Sequence, residues 1–135
     1  AAAMELDDGT IITGKTTNLL GASAALLLNV VKVLGNISHD IHLIAPSAIE
    51  PIQKLKVNYL GSKNPRLHTD EVLIALSASA ATDHNAQVAL EQLPKLKGRE
   101  VHTSVLLSDV DTKIFKKLGV NLTCEPIYEE KKIYH

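Results

Sequence analysis

The chain has 135 residues, 45% of them hydrophobic, and its 14 basic and 15 acidic residues leave a formal net charge of -1. This composition predicts one folded domain, and it lacks the basic excess with which proteins contact nucleic acid, so no nucleic-acid partner is expected. The single cysteine, Cys124, excludes an intramolecular disulfide bond and fits a cytoplasmic location. The longest apolar run, residues 19–34, is too short and too interrupted to cross a bilayer, so no membrane span is expected.

In chain order, the first predicted elements are a β-hairpin and a long helix. Residues 4–6 and 10–13 favour strands, the second because Thr10 to Thr13 are four consecutive β-branched residues, and Asp8-Gly9 favours the turn between them. The three alanines before them could be a cloning remnant. A helix then runs over residues 18–34, capped by Thr16 or Thr17, and it is apolar or small on nearly every face.

The rest of the chain alternates helices and strands. Short buried strands are predicted at residues 41–45, 100–107 and 120–124. Helices are predicted at residues 47–60, 69–81, 84–93 and 109–118. Pro51 is expected in the first turn of the first of these, and Thr82-Asp83 and Ser108-Asp109 are expected to cap the last two. Residues 4–125 would then form a single α/β domain, and residues 126–135 a C-terminal surface extension.

This order of elements predicts a three-layer α/β sandwich whose mixed sheet begins with an antiparallel hairpin and continues through parallel crossovers. The order is similar to the cytidine-deaminase-like topology. The zinc site of that superfamily is missing, because residues 13–17 contain no H-x-E and residues 45–50 contain no P-C-x-x-C. Zinc deamination is therefore excluded. The remaining histidines are scattered along the chain, and we expect neither a metal site nor a resident cofactor.

Residues 9–16 read GTIITGKT, which matches the phosphate-loop pattern G-x-x-x-x-G-K-[ST]. A working phosphate loop follows a buried strand, whereas this motif follows Asp7 and Asp8 and contains the predicted strand of residues 10–13. An NTPase that uses this loop, with Asp109 as the acid beside magnesium, is therefore the least favoured of the functions considered.

The strongest local site is the pair of predicted helix beginnings at residues 13–17 and 46–47. Helix N-termini carry unpaired N–H groups and a partial positive charge, which favours a bound phosphate or carboxylate. The alternative is that the hydroxyl residues are ordinary caps and that the lysine is a solvated surface charge. The candidate anion-binding residues are Gly14, Lys15, Thr16, Thr17 and Ser47.

A second candidate site is the polar cluster of residues 64–71. Arg66 could clamp an anion while His68 exchanges protons, with Asp70 or Glu71 orienting the imidazole. Arg66, His68 and Asp70 are thus the candidate catalytic residues of an enzyme acting on a phosphorylated or nucleotide-like small molecule. We favour the alternative, in which residues 69–71 are an acidic helix start and Arg66 pairs with an acid.

Five stretches resemble the C-terminal domain of a bacterial family of long uncharacterised proteins, domain of unknown function 1846, also called uncharacterised protein family 0371. They read DGTIITGKT, HLIAPSAIEPIQKLK, LGSKNPRLHTDEVLIALSASAAT, ALEQLPKLKG and KLGVNLTCEPIY. The resemblance implies that the chain is a fragment whose partner is the larger N-terminal part of its parent. It implies no reaction, since the family has no established one.

These observations favour a structural or assembly module of a larger bacterial cytoplasmic protein, with a pocket for a small anionic ligand. The apolar helix of residues 18–34 cannot be covered by one face of a sheet. Either the helices of residues 70–93 lie over it, or it packs against the parent or a second copy of the chain. We therefore expect the fragment to form a homo-oligomer.

Overall fold

The computed structural model describes residues 1–104 and 107–124. The strands of these residues are β1 (Ala2–Glu5), β2 (Ile11–Gly14), β3 (Glu100–Thr103) and β4 (Asn121–Cys124). Their α-helices are α1 (Ala22–Leu34), α2 (Pro46–Lys54), α3 (Thr69–Ala80), α4 (His84–Leu90) and α5 (Asp109–Lys117). A π-helical segment, Leu55–Tyr59, extends α2, and a short 3-10 helix, Leu93–Leu96, follows α4. The predicted mixed α/β class is confirmed.

The four described strands form one mixed sheet in the order β2-β1-β3-β4. The central strand β1 is antiparallel to both β2 and β3, whereas β3 and β4 are parallel and are joined through α5. Ala2 pairs with Gly14 on one side and with Thr103 on the other. The first strand therefore begins at Ala2, two residues before the predicted domain boundary at Met4.

Among the described residues, the helices cover one face of the sheet only. Met4 and Val101 are buried on that face, whereas Thr13, His102 and Thr123 on the opposite face are exposed. The alternation of side chains along each strand produces this difference. In the described structure the layers are the sheet, then α1 with α5, then α3 with α4. The predicted sandwich has its sheet between two helical layers, whereas here the sheet is an outer layer.

Helix α1 is buried on two sides. Leu26, Leu27 and Val30 belong to the core that faces the sheet, which also contains Met4, Val101 and Phe115. Leu28 and Val31 belong to a second core, whose members from α3 and α4 include Val72, Leu76, Ala86 and Ala89. Of the two alternatives for covering this helix, the one with the helices of residues 70–93 is confirmed. Its apolar surface therefore no longer argues for a homo-oligomer.

The predicted strand at residues 41–45 is wrong. This segment is irregular, and its buried residues Leu43 and Ile44 pack into the core between α1 and α3. A short buried apolar run is equally compatible with a sheet core and a helical core, which explains the error. Because the described residues contain one parallel pair instead of three parallel strands, the cytidine-deaminase-like topology is not confirmed.

The beginnings of helices α1 and α2 differ from the predictions. Helix α1 begins at Ala22, after Gly21, so neither Thr16 nor Thr17 caps it. Pro51 lies in the second turn of α2 rather than the first, and the π-helical segment follows it. The predicted caps Asp83 of α4 and Ser108 of α5 are confirmed, since each side chain accepts backbone N–H hydrogen bonds.

Helices α3 and α5 are joined at their first turns. The backbone N–H and the hydroxyl of Thr69 donate to Asp111 Oδ1 at 2.9 and 2.7 Å, and both residues are buried. No described helix is long and apolar enough to span a membrane. The predicted strand at residues 100–107 is shorter than expected, because β3 ends at Thr103 and neither Ser104 nor Leu107 continues it. Residues 105–106 and the predicted extension at residues 126–135 lie outside the described residues.

Gly14 allows β2 to approach α1 closely. A Cβ atom at this position would lie 2.3 Å from Leu26 N and 2.5 Å from Ala22 O, and neither backbone atom can move without shifting α1. We predict that Gly14→Ala lowers the free energy of unfolding by about 3 kcal/mol, measured by urea denaturation of the full chain.

Gly21→Ala is the matched control, because a Cβ atom there would meet only Leu67 O, at 3.7 Å, and the φ of Gly21 is -70°. We expect a loss under about 1 kcal/mol for this control. Equal losses for the two variants would contradict the close packing of β2 on α1.

A candidate anion-binding groove beside helix α1

A groove of about 360 Å³ lies between the end of β2, one side of α1 and the segment that leads into α2. We call it the cationic groove. Among the described residues, no aspartate or glutamate side chain lines it. Its polar lining consists of Thr13, Lys15, Thr17, Asn29, Lys32 and His42.

Helix α1 supplies one wall through a single stripe of residues. Ala25, Asn29 and Lys32 are spaced at i, i+4 and i+7, so they share one face of the helix, and all three are partly exposed. Asn29 Nδ2 donates to the carbonyl oxygen of Thr13 at 2.9 Å, which ties α1 to the end of β2. This stripe is the side of α1 that neither hydrophobic core covers.

Lys32 is the partly buried cation of the groove. Its Nζ donates to the carbonyl oxygen of His39 at 3.2 Å. Burial lowers the pKa of Lys32 below its ordinary value, and the negative charge of Asp40 partly offsets this effect. The protonated side chain is therefore incompletely solvated, and a bound anion would stabilise it.

The loop that carries Lys15 and Thr17 is fixed by neighbouring segments. Arg66 Nε donates to the carbonyl oxygen of Thr17 at 2.5 Å, and Gln53 Nε2 of α2 donates to that of Asn18 at 3.0 Å. Leu67 N donates to the carbonyl oxygen of Leu19 at 3.0 Å. Lys15 is exposed and makes no hydrogen bond or ion pair in the described part of the chain. The groove thus has an ordered wall that bears an unpaired cation.

Two of the five predicted anion-binding residues, Lys15 and Thr17, line the groove, whereas Gly14, Thr16 and Ser47 do not. Gly14 is buried against α1, and Ser47 is the second residue of α2. The argument from helix N-termini is wrong for residues 13–17, because α1 begins only at Ala22.

Sequence reasoning missed three polar groove residues, Asn29, Lys32 and His42. The first two could have been found, because they share one face of an otherwise apolar helix. His42 could not, because the segment that carries it was misassigned as a strand.

The GTIITGKT motif does not form a phosphate loop. Gly9 has a φ of 87° in the hairpin turn, where Leu6 N donates to the carbonyl oxygen of Thr10 at 2.8 Å. Residues 11–14 then pair with β1, which confirms that the β-branched run is extended. Asp109 is the first residue of α5. The NTPase alternative requires a phosphate loop at residues 9–16, and these residues instead form a hairpin turn and a strand.

The polar cluster of residues 64–71 joins three segments. Besides the bond from Arg66 to Thr17, Lys56 Nζ donates to the carbonyl oxygen of Arg66 at 2.6 Å and to Glu71 Oε1 at 2.9 Å. His68 N also donates to Glu71 Oε1, at 2.8 Å, and Asp70 Oδ1 accepts from Glu71 N. The expected pairing of Arg66 with an acid is wrong: within the described part of the chain its side chain donates to the carbonyl oxygen of Thr17 and forms no ion pair. The catalytic roles of Arg66, His68 and Asp70 stay predictions.

Glu71 is the charged centre of this cluster. Partial burial raises the pKa of its carboxyl group, but the His68 N–H and the Lys56 ammonium outweigh that effect and hold the pKa below its ordinary value of 4.5. The ionised form is therefore favoured in the folded protein. No group of three or more His, Cys, Asp or Glu side chains among the described residues is arranged to hold a metal ion.

The fold and the groove define a small mixed α/β domain with a cationic concavity and no recognisable catalytic motif. The family profile described as "Domain of unknown function DUF1846, C-terminal" matches residues 1–134. The chain therefore belongs to the DUF1846 family, as its C-terminal domain, which confirms the resemblance read from the sequence.

Proteins named UPF0371 are similar to this chain. UPF0371 protein cu0538 of Corynebacterium urealyticum is 60% identical over 98% of the chain, and UPF0371 protein CE2832 of Corynebacterium efficiens is 58% identical over 99%. UPF0371 protein SpyM50764 of Streptococcus pyogenes is 48% identical over 99%. The match covers only 27% of the length of each of these proteins, so the chain spans about a quarter of its relatives.

We predict that Glu71→Gln lowers the free energy of unfolding by about 2 kcal/mol at pH 7, because it leaves the buried Lys56 ammonium without its carboxylate. A carboxyl group whose folded-state pKa is lowered stabilises the protein above its unfolded-state pKa, and that stabilisation is lost as the pH falls through the folded-state pKa. The difference between wild type and variant should therefore shrink below pH 4.5.

Chemical denaturation across this pH range would measure the difference. Glu50→Gln, at an exposed position on α2, is the control and should change stability by under about 0.5 kcal/mol. A wild-type advantage that persisted unchanged down to pH 2 would contradict the assigned role of Glu71.

Proposed function

We propose that this domain binds a small anionic group in the cationic groove and does so as a module of a larger cytoplasmic protein. The supporting observation is that Lys15 and Lys32 line one concave site and that no carboxylate is among its described lining residues. A phosphate or carboxylate bound in the groove would be attracted by both ammonium groups. It would also compensate for the partial burial of Lys32, which the charge of Asp40 offsets only in part.

The two lysines contribute differently. Lys15 is a free charge on an ordered loop, so its contact with an anion costs mainly its own side-chain entropy. Lys32 is already partly buried, and its lowered pKa marks a cation that gains from a new negative neighbour. The arrangement supports anion binding more directly than it supports a chemical step.

Calorimetric titration of the full chain with inorganic phosphate tests the proposal. We expect binding at millimolar phosphate, and we expect Lys15→Ala and Lys32→Gln each to weaken it roughly tenfold, the effect of losing one charged contact. Lys63→Ala, at an exposed position outside the groove, should bind like the wild type. No binding by the folded wild type, or equal loss in the Lys63 variant, would refute the proposed site.

A second proposed role is assembly with the rest of the parent protein. Leu55, Val57, Tyr59 and Leu60 are all exposed, with relative exposures of 68% for Tyr59 and 72% for Leu60. We call these four residues the apolar strip. Between them, Lys56 turns inward to Glu71 and fixes the π-helical segment in place.

The occupant of the strip is the part of the parent that lies outside this chain. The relatives are nearly four times as long as the match, so most of the parent polypeptide is available to cover it. An apolar patch left open in an isolated domain also promotes self-association, which gives the predicted homo-oligomer a basis other than α1.

Hydrogen exchange of residues 55–60 should be slower in the intact parent than in the isolated chain, because docking buries the strip. In the parent, Leu60→Asp should restore fast exchange there, whereas Val110→Asp, at an exposed apolar position on α5, should not. Equal exchange in parent and isolated chain would refute the docking surface, and protection that depends on the concentration of the isolated chain would assign it to a second copy instead.

A further inference from the structure

The cationic groove is aliphatic beneath its charged rim. Four segments of the chain supply this lining: the loop before α1, α1 itself, the irregular segment before α2, and α2. The aliphatic residues include Leu19, Leu20, Leu28, Leu43, Ile44 and Ile49. A site for a free inorganic anion needs donors and cations but no such surface, so the aliphatic lining requires its own explanation.

The lining comes from well-ordered parts of the fold. Leu43, Ile44 and Ile49 are members of the core between α1 and α3, each at most 4% exposed. Leu19 is held through its backbone by Leu67 N. Leu43, Ile44 and Ile49 therefore form a fixed base with little exposed surface, and the partly exposed Leu19 and Leu20 supply the more open part of the lining. A preformed concavity of this kind is the usual character of a small-molecule site.

The groove lacks features that sugars and nucleobases require. Among the described residues no tryptophan, tyrosine or phenylalanine lines it, and the imidazole of His42 is its one aromatic ring, so a base could not be stacked between two rings. Among the described residues it also has no carboxylate to accept hydrogen bonds from sugar hydroxyls. A cationic rim above an aliphatic floor instead matches a molecule with one anionic end and one hydrocarbon end.

We infer that the ligand of the cationic groove is amphipathic: a phosphate or carboxylate head that contacts Lys15 and Lys32, on a short alkyl body that lies on the aliphatic lining. This inference rests on the proposed anion-binding function and specifies its ligand class. A volume of about 360 Å³ lies at the small end of the range for ligand pockets, which limits the body to a short chain.

The test compares ligands that differ only in the body or only in the head. The full chain is titrated with methyl phosphate, hexyl phosphate and hexan-1-ol. Each methylene removed from water favours binding about fourfold, so hexyl phosphate should bind at least tenfold more tightly than methyl phosphate even if only part of the chain is buried. Hexan-1-ol should bind more weakly than hexyl phosphate, because it lacks the charge.

The outcomes distinguish a failure of this inference alone from a failure of the proposed function as well. Equal affinity for methyl and hexyl phosphate would overturn the amphipathic ligand and leave anion binding standing. Equal affinity for hexyl phosphate and hexan-1-ol would overturn both, because the cations would then contribute nothing. Absence of binding by all three would also overturn both.

A variant in the groove wall locates the alkyl body. Ala25 is a partly exposed groove residue on α1, and Ala25→Leu would fill space beside the aliphatic lining. We expect it to weaken hexyl phosphate at least fivefold and to leave methyl phosphate within twofold. Ala78→Leu, at an exposed position on α3, should change neither.

Leu19→Ala is an independent test of where the alkyl body lies, because it removes aliphatic surface instead of adding bulk. It should reduce the advantage of hexyl over methyl phosphate, and circular dichroism checks that each variant is folded. If both groove variants are folded and keep the full advantage of hexyl phosphate, the body does not lie on this lining and the inference fails.

Discussion

The burial of helix α1 on two opposite sides is the constraint from which the rest of the structure follows. One side packs on the sheet, where Gly14 lets β2 come close enough that a Cβ atom would collide with the helix backbone. The other side packs on α3 and α4. A helix used in this way must be apolar around most of its circumference, and the sequence of residues 22–34 is.

The cationic groove is a consequence of the same constraint. With two sides of α1 covered, the stripe formed by Ala25, Asn29 and Lys32 stays partly exposed and faces the groove. The segment before α2 must then cross this side to reach its place, and it does so by burying Leu43 and Ile44 while His42 remains exposed. A groove with an aliphatic floor and a cationic rim results.

Local signals predicted part of this fold well. The hairpin turn at Asp8-Gly9 and the caps at Asp83 and Ser108 depend on residues within a few positions of each other, so the sequence specifies them directly. The layer order depends on which distant surface covers α1, and no local pattern encodes it. The candidate site was predicted only in part. Lys15 and Thr17 follow β2 directly in sequence, so a local pattern could indicate them. His42 reaches the groove through a segment whose position depends on distant contacts, so no local pattern could.

Helix α2 connects the two surfaces to which a role is proposed. Pro46 and Ile49 line the groove at its beginning, Gln53 holds the loop of Lys15 near its end, and the apolar strip lies on its π-helical extension. Pro51, within α2, has no N–H to donate to the preceding turn, which weakens the helix between these surfaces. Any displacement of α2 by a docked parent segment would move groove residues as well. By linkage, a ligand that favours one position of α2 would then favour the same docked state, so the two surfaces would be coupled through this helix.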